Sequence, residues 1–109
     1  MNYDDNMYNY IKMNCVYVVC FYRIGYGPAN VKMAGCYTSE IQSINRIKEL
    51  FGNKVSFANN NKIIYGKGLC GWINKYDIGD NNYFGLNMNQ PHNPISIELI
   101  NLEYQEQYN

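Results

Sequence analysis

The chain has 109 residues, 47% of them apolar and only 17% charged, with nine basic side chains against nine acidic ones. That length holds one domain with one modest core and leaves no room for a separate cofactor domain beside a substrate domain. Zero net charge with dispersed Lys and Arg disfavours a general nucleic-acid binder, which needs a basic stripe against the phosphates, and no run approaches the ~20 apolar residues of a membrane span.

Residues 1–13 read as an arm. "MNYDDNMYNY" is acidic and polar, without the apolar core of a signal peptide. Met7, Tyr10 and Ile11 fall at i, i+3 and i+4 and would share one face of a short helix, which is marginal unless it docks. A frayed terminus is the other reading, and the two stay open. A single α+β domain is expected over 14–103, and 104–109 reads as a solvated tail.

"CVYVVCFY", residues 15–22, is β-branched and aromatic throughout. Val16, Val18, Cys20 and Tyr22 point one way, and Cys15, Tyr17, Val19 and Phe21 the other. Two apolar faces place this strand in the interior of a sheet. "RIGYGPAN" is punctuated by Gly25, Gly27 and Pro28 and reads as a turn. "VKMAGCY", 31–37, is a second strand with a bulge at Gly35. "TSEIQSINRIKELFG" is a helix: Ser39 caps it, Gln42 stands three residues on, and Ile41, Ile44, Ile47, Leu50 and Phe51 form its stripe. Gly52 stops it. Short strands follow at "KVSF", "KIIYG" and "WINKYDI", with "ANNNK" as a turn. Residues 79–94 read as a long loop and 95–103 as a closing strand. The order β-β-α-β-β-β implies a mainly antiparallel sheet with one amphipathic helix packed on a face.

"YGKGLCGW", 65–72, carries the spacing G-x-G-x-x-G in Gly66, Gly68 and Gly71. A dinucleotide site needs a helix opening at the third glycine and an acidic residue about 20 positions on. Here the chain breaks at Gly79, and counting on reaches "YFGLNMN", which has no carboxylate. The stretch reads instead as a turn between two strands. A P-loop is absent as well, since no Ser or Thr follows a Gly-Lys pair.

Other chemistry is sparse. Cys15, Cys20, Cys36 and Cys70 form no CxxC pair and read as free thiols; zinc would have to recruit His92, the only histidine. His92 sits in a proline-flanked loop with no partner cysteine in sequence, Asp77 and Asp80 flank a turn glycine, and Glu98 stands alone. No catalytic residue, metal or cofactor follows from these. The 12 tyrosines are too many for one core, and Tyr and Trp favour protein contacts. Trp72, Tyr83, Phe84, Tyr10 and Met7 are the residues expected to bind a partner.

The Asn, Ile, Tyr and Lys bias resembles that of small uncharacterised proteins of giant DNA viruses and other AT-rich genomes. The run "VYVVCFY…VKMAGCYTSEIQSINRIKEL" is also similar to a strand, hairpin and helix pattern in small phage and bacterial proteins, carried by Gly35, Tyr37 and Ser39. The resemblance implies the ββα opening and no activity. The expectation is a non-enzymatic accessory protein acting through protein–protein contacts, as a viral structural or host-interaction factor, bound to a protein partner or to itself. Its expected location is the cytoplasm, of a host if it is viral, or the virion. The alternative is a small-ligand or nucleotide-binding module using the Gly66–Trp72 turn.

Overall fold

Residues 15–78 and 90–97 are described by the computed structural model. The arm at 1–13, the loop segment 79–89 and everything from 98 onward, including most of the expected closing strand, lie outside the described residues.

β1 (Cys15–Arg23) is apolar on both faces and is paired along both edges. One neighbour is β2 (Lys32–Tyr37), reached through a 3-10 turn at Pro28–Asn30. The other is β5 (Leu69–Asp77), which matches it over nine residue pairs from Cys15↔Asp77 to Arg23↔Leu69. With β3 (Ser56–Ala58) and β4 (Ile63–Gly66), the sheet runs β2-β1-β5-β4-β3, antiparallel at every pairing. The fold is α+β, as the order of elements implied.

The β1–β2 register slips by one residue, because Val19 faces Gly35 while Cys20 faces Met33. Ala34 is thus the extra residue of a bulge, beside the glycine that signalled it. Its carbonyl accepts a hydrogen bond of 2.9 Å from Arg46 Nε on the helix, and the Tyr37 ring lies over Gly35, 2.6 Å from where a Cβ would stand.

α1 (Glu40–Phe51) starts at Ser39, whose Oγ accepts from the Gln42 amide at 3.4 Å. It ends at Gly52, whose N–H donates to Lys48 O at 3.0 Å from a positive-φ conformation. Ile44, Ile47 and Phe51 are buried as the stripe implied, but Ile41 is 59% exposed. At roughly 100° per residue, Ile41 falls about a quarter turn off the centre of that stripe. The position beside Ile44 goes to Ser43, fully buried, which satisfies its hydroxyl by donating to Glu40 O at 2.6 Å.

Because the central strands are apolar on both sides, two cores form. On the helix side Val19, Ile64 and Ile73 meet Ile44, Ile47, Phe51 and Ile97. On the opposite face Val18, Cys20, Ile63, Cys70 and Trp72 cluster.

β4 pairs with β5 only at Leu69–Gly71, and residues 93–95 take up the next stretch of β5. Lys75 N donates to Asn93 O at 3.2 Å and Ile95 N to Ile73 O at 3.0 Å, while Ile97 N turns away to Asn61 O at 2.9 Å. The contact is a single bridge, Asn74↔Pro94, instead of the strand expected to start at residue 95. Proline has no N–H for a ladder, and the next N–H after Ile95 that could extend it, that of Ile97, is taken by Asn61 O. Asn74, fully buried, fixes the segment: its Oδ1 accepts from His92 N at 2.8 Å and its Nδ2 donates to the Tyr76 hydroxyl at 3.1 Å.

Candidate functional site

The glycine-rich stretch is a β-hairpin. Gly66 pairs with Leu69, and Lys67 and Gly68 form the two-residue turn with φ of 51° and 74°, the double positive φ of a type I′ connection. The other two glycines serve packing. A Cβ on Gly71 would stand 2.6 Å from the Phe51 ring and 2.9 Å from Cys20 O, and one on Gly66 would stand 3.1 Å from the carbonyls of Phe51 and Lys54. The spacing therefore lets α1 lie directly on the hairpin. Gly71 continues into β5 and opens no helix.

The face away from α1 carries an ordered polar–aromatic row. Tyr22, Cys70 and Tyr65 lie side by side across β1, β5 and β4, with Cys20 and Trp72 paired in the next row. Trp72 is 2% exposed, packs edge-on to Tyr22 with ring centroids 6.1 Å apart, and has no hydrogen-bond partner for its indole Nε1 among the described residues. The chemistry here is that of protonated groups. Burial pushes Cys20 up to about 11 and raises Cys70, partly opposed by hydrogen bonds from Tyr22 and Tyr65. Tyr22 is raised through its hydrogen bond to Cys70, and Tyr65 through the charge Cys70 would carry. A thiol held above the neutral range is a poor nucleophile and a poor metal ligand. All four cysteines are free, with Cys20 and Cys70 buried and Cys36 exposed.

Of the five contact residues singled out from sequence, Trp72 is the one inside the described residues, and it lies in this second core. Met7, Tyr10, Tyr83 and Phe84 lie outside them. The accessible apolar groups are others. Ile24, Tyr26 and Met33 are 52%, 67% and 65% exposed and all three sit at the β1–β2 end of the sheet, whereas Ile41 on the helix, Tyr65 on β4 and Ile78 after β5 are exposed singly. Ile24 follows β1 and donates its N–H to Gly68 O at 2.8 Å, Tyr26 N donates to Arg23 O at 3.1 Å, and Met33 opposes Cys20 at the start of β2. Sequence reading passed over them because they lie in a turn or alternate within a strand, where exposure depends on which neighbours the sheet supplies.

A cleft of about 250 Å³ opens at the same end, walled by Phe21, Tyr22, Tyr26 and Leu69 and flanked by Arg23 and Lys32. A broader depression of about 570 Å³ follows the polar face of α1, but Arg46 there already binds Ala34 O and Glu49 Oε1.

No protein-family model, curated protein or solved structure matches the chain.

Proposed function

We propose that the protein is a non-enzymatic contact module that binds a protein partner through the β1–β2 end of its sheet. The observation that carries this reading is the gathering of Ile24, Tyr26 and Met33, each more than half exposed, at that one end. Large apolar side chains scattered singly over a surface need no explanation, whereas a group of them does. Tyr and Met are enriched at protein interfaces, where a few buried anchors supply most of the binding energy.

The sheet edges support contact through side chains over contact by strand addition. β3 is three residues long, and β2 is bulged with its free carbonyl at Ala34 taken by Arg46. Short and bulged edges discourage pairing with a foreign strand. The sequence-derived contact groups Tyr83 and Phe84 belong to the same reading as a second contact segment.

Site-specific photocrosslinking in the native source tests the proposal. A photoreactive side chain replacing Tyr26 should yield one dominant protein adduct, and the same group at Asn45 on the polar helix face should yield none. Equal adducts from both positions, or none from Tyr26, would remove the β1–β2 end as the contact surface.

A further inference from the structure

We infer that the cleft between the β1–β2 turn and the β4–β5 hairpin is a binding site for a small aromatic anion, a single planar ring bearing a phosphate or carboxylate. This goes beyond the contact reading, because such a ligand would bind the isolated chain.

The backbone explains why these groups converge. Lys32 opposes Phe21, and Arg23 opposes Leu69, in consecutive same-face rows at the end of the sheet. Arg23 and Lys32 are therefore diagonal neighbours across the β1–β2 pair, a relation that places side chains within about 7–8 Å of each other. The turn is folded back over them by its own hydrogen bonds: Asn30 Nδ2 donates to Tyr26 O at 2.6 Å and Asn30 N to Gly27 O at 3.1 Å. These bonds fix the backbone of Tyr26, which lines the same cleft as the two cations.

The charge balance selects the ligand's sign. Among the described residues no Asp or Glu lines the cleft and neither Arg23 nor Lys32 makes an ion pair, the ion pair among them being Arg46–Glu49. Two like charges on diagonal neighbours repel unless an anion sits between them, and an arginine fork suits the paired oxygens of a phosphate or carboxylate. The walls select the ligand's body. Phe21 and Tyr26 offer aromatic surface to a planar apolar group, with Leu69 beside them, while Tyr22 borders the cleft from the strand whose opposite face carries its ring. The size limits it to one ring, because clefts that enclose whole drug-sized ligands run to roughly 300–1,000 Å³.

Phenyl phosphate titrated into the full chain, followed by amide chemical shifts, tests the assignment. It should shift the amides of Arg23, Asn30, Lys32 and Leu69 in a saturable way, and benzoate should act at the same amides. Phenol, which lacks the anion, and inorganic phosphate, which lacks the ring, should each bind at least tenfold more weakly. Raising sodium chloride to about 0.5 M should weaken phenyl phosphate several-fold, as expected for exposed charges. The double variant Arg23→Gln, Lys32→Gln replaces two exposed side chains, so its thermal midpoint should be unchanged while binding falls at least tenfold. Shifts centred elsewhere, phenol equal to phenyl phosphate, salt independence, or an unaffected double variant would each overturn the site. Because no partner protein is present, this result is independent of whether Tyr26 crosslinks one.

Discussion

At the scale of single residues, Asn74 has the clearest structural task. It is fully buried in a strand and uses both ends of its amide, one to hold the His92 backbone and one to bind the Tyr76 hydroxyl. Removing it loses the hydrogen bonds to the His92 backbone and the Tyr76 hydroxyl and leaves a small void, and losses of this kind cost about 1–3 kcal/mol. Asn74→Ala should therefore lower unfolding free energy by roughly that amount in urea titrations, whereas an unchanged midpoint would mean that water replaces the amide. Titratable groups give a second expectation. Burial holds Cys20 at about 11 against an ordinary 9, and burial with the neighbouring Cys15 thiol holds Tyr17 at about 12 against an ordinary 10. Both groups bind their protons more tightly when folded. Their contribution is fully present below about pH 9 and is lost as pH rises through the folded values. Stability should be flat from neutral pH to about 9 and fall between 9 and 12. In native protein Cys36, exposed, should react with a thiol reagent well before Cys20 and Cys70.

At the scale of elements, the joints between helix and sheet are the informative points. Arg46 of α1 satisfies the carbonyl that the bulge at Ala34 frees from the ladder. Arg46→Met keeps the aliphatic packing and loses the bond, so a destabilisation of about 1 kcal/mol is expected; no change would show that solvent serves that carbonyl equally well. Gly71→Ala should be far more harmful, because its Cβ would meet the Phe51 ring and a backbone carbonyl of β1 at once. Overpacking of that kind costs about 1–3 kcal/mol or more, read as a lowered thermal midpoint. These joints also mark what the sequence could reveal. The doubly apolar "CVYVVCFY", the Ser39 cap, the Gly52 stop and the bulge near Gly35 are local signals, and each could be read directly. The exposure of Ile41 could not, since a stripe of five apolar residues does not announce its own centre. The bridge at Pro94 and the clamp at Asn74 were equally hidden, because both depend on a segment well beyond β5 in sequence returning to a strand already formed. The cleft was hidden for the same reason: Arg23 and Lys32 look scattered in sequence until the hairpin makes them neighbours.

At the scale of the whole molecule, one helix covers one face of a five-stranded sheet, and large apolar side chains emerge at one end of it. The strands that pair most extensively, β1 and β5, are separated by β2, α1, β3 and β4. The β1–β2 hairpin is local, but its tip is tied to the β4–β5 hairpin by non-local contacts, Arg23 opposite Leu69 and Ile24 N–H to Gly68 O, so its exposed groups are displayed on a frame that both hairpins build. We propose that this end is a protein-contact surface. Sedimentation velocity with the crosslinked partner, once purified, tests it most directly, comparing the wild-type chain with Ile24→Ser, Tyr26→Ser, Met33→Ser. All three side chains are more than half exposed, so the triple variant should keep the wild-type thermal midpoint. The wild type should co-sediment with the partner as one stoichiometric boundary, and the folded triple variant should sediment alone. A folded triple variant that still co-sediments at wild-type affinity would contradict the account.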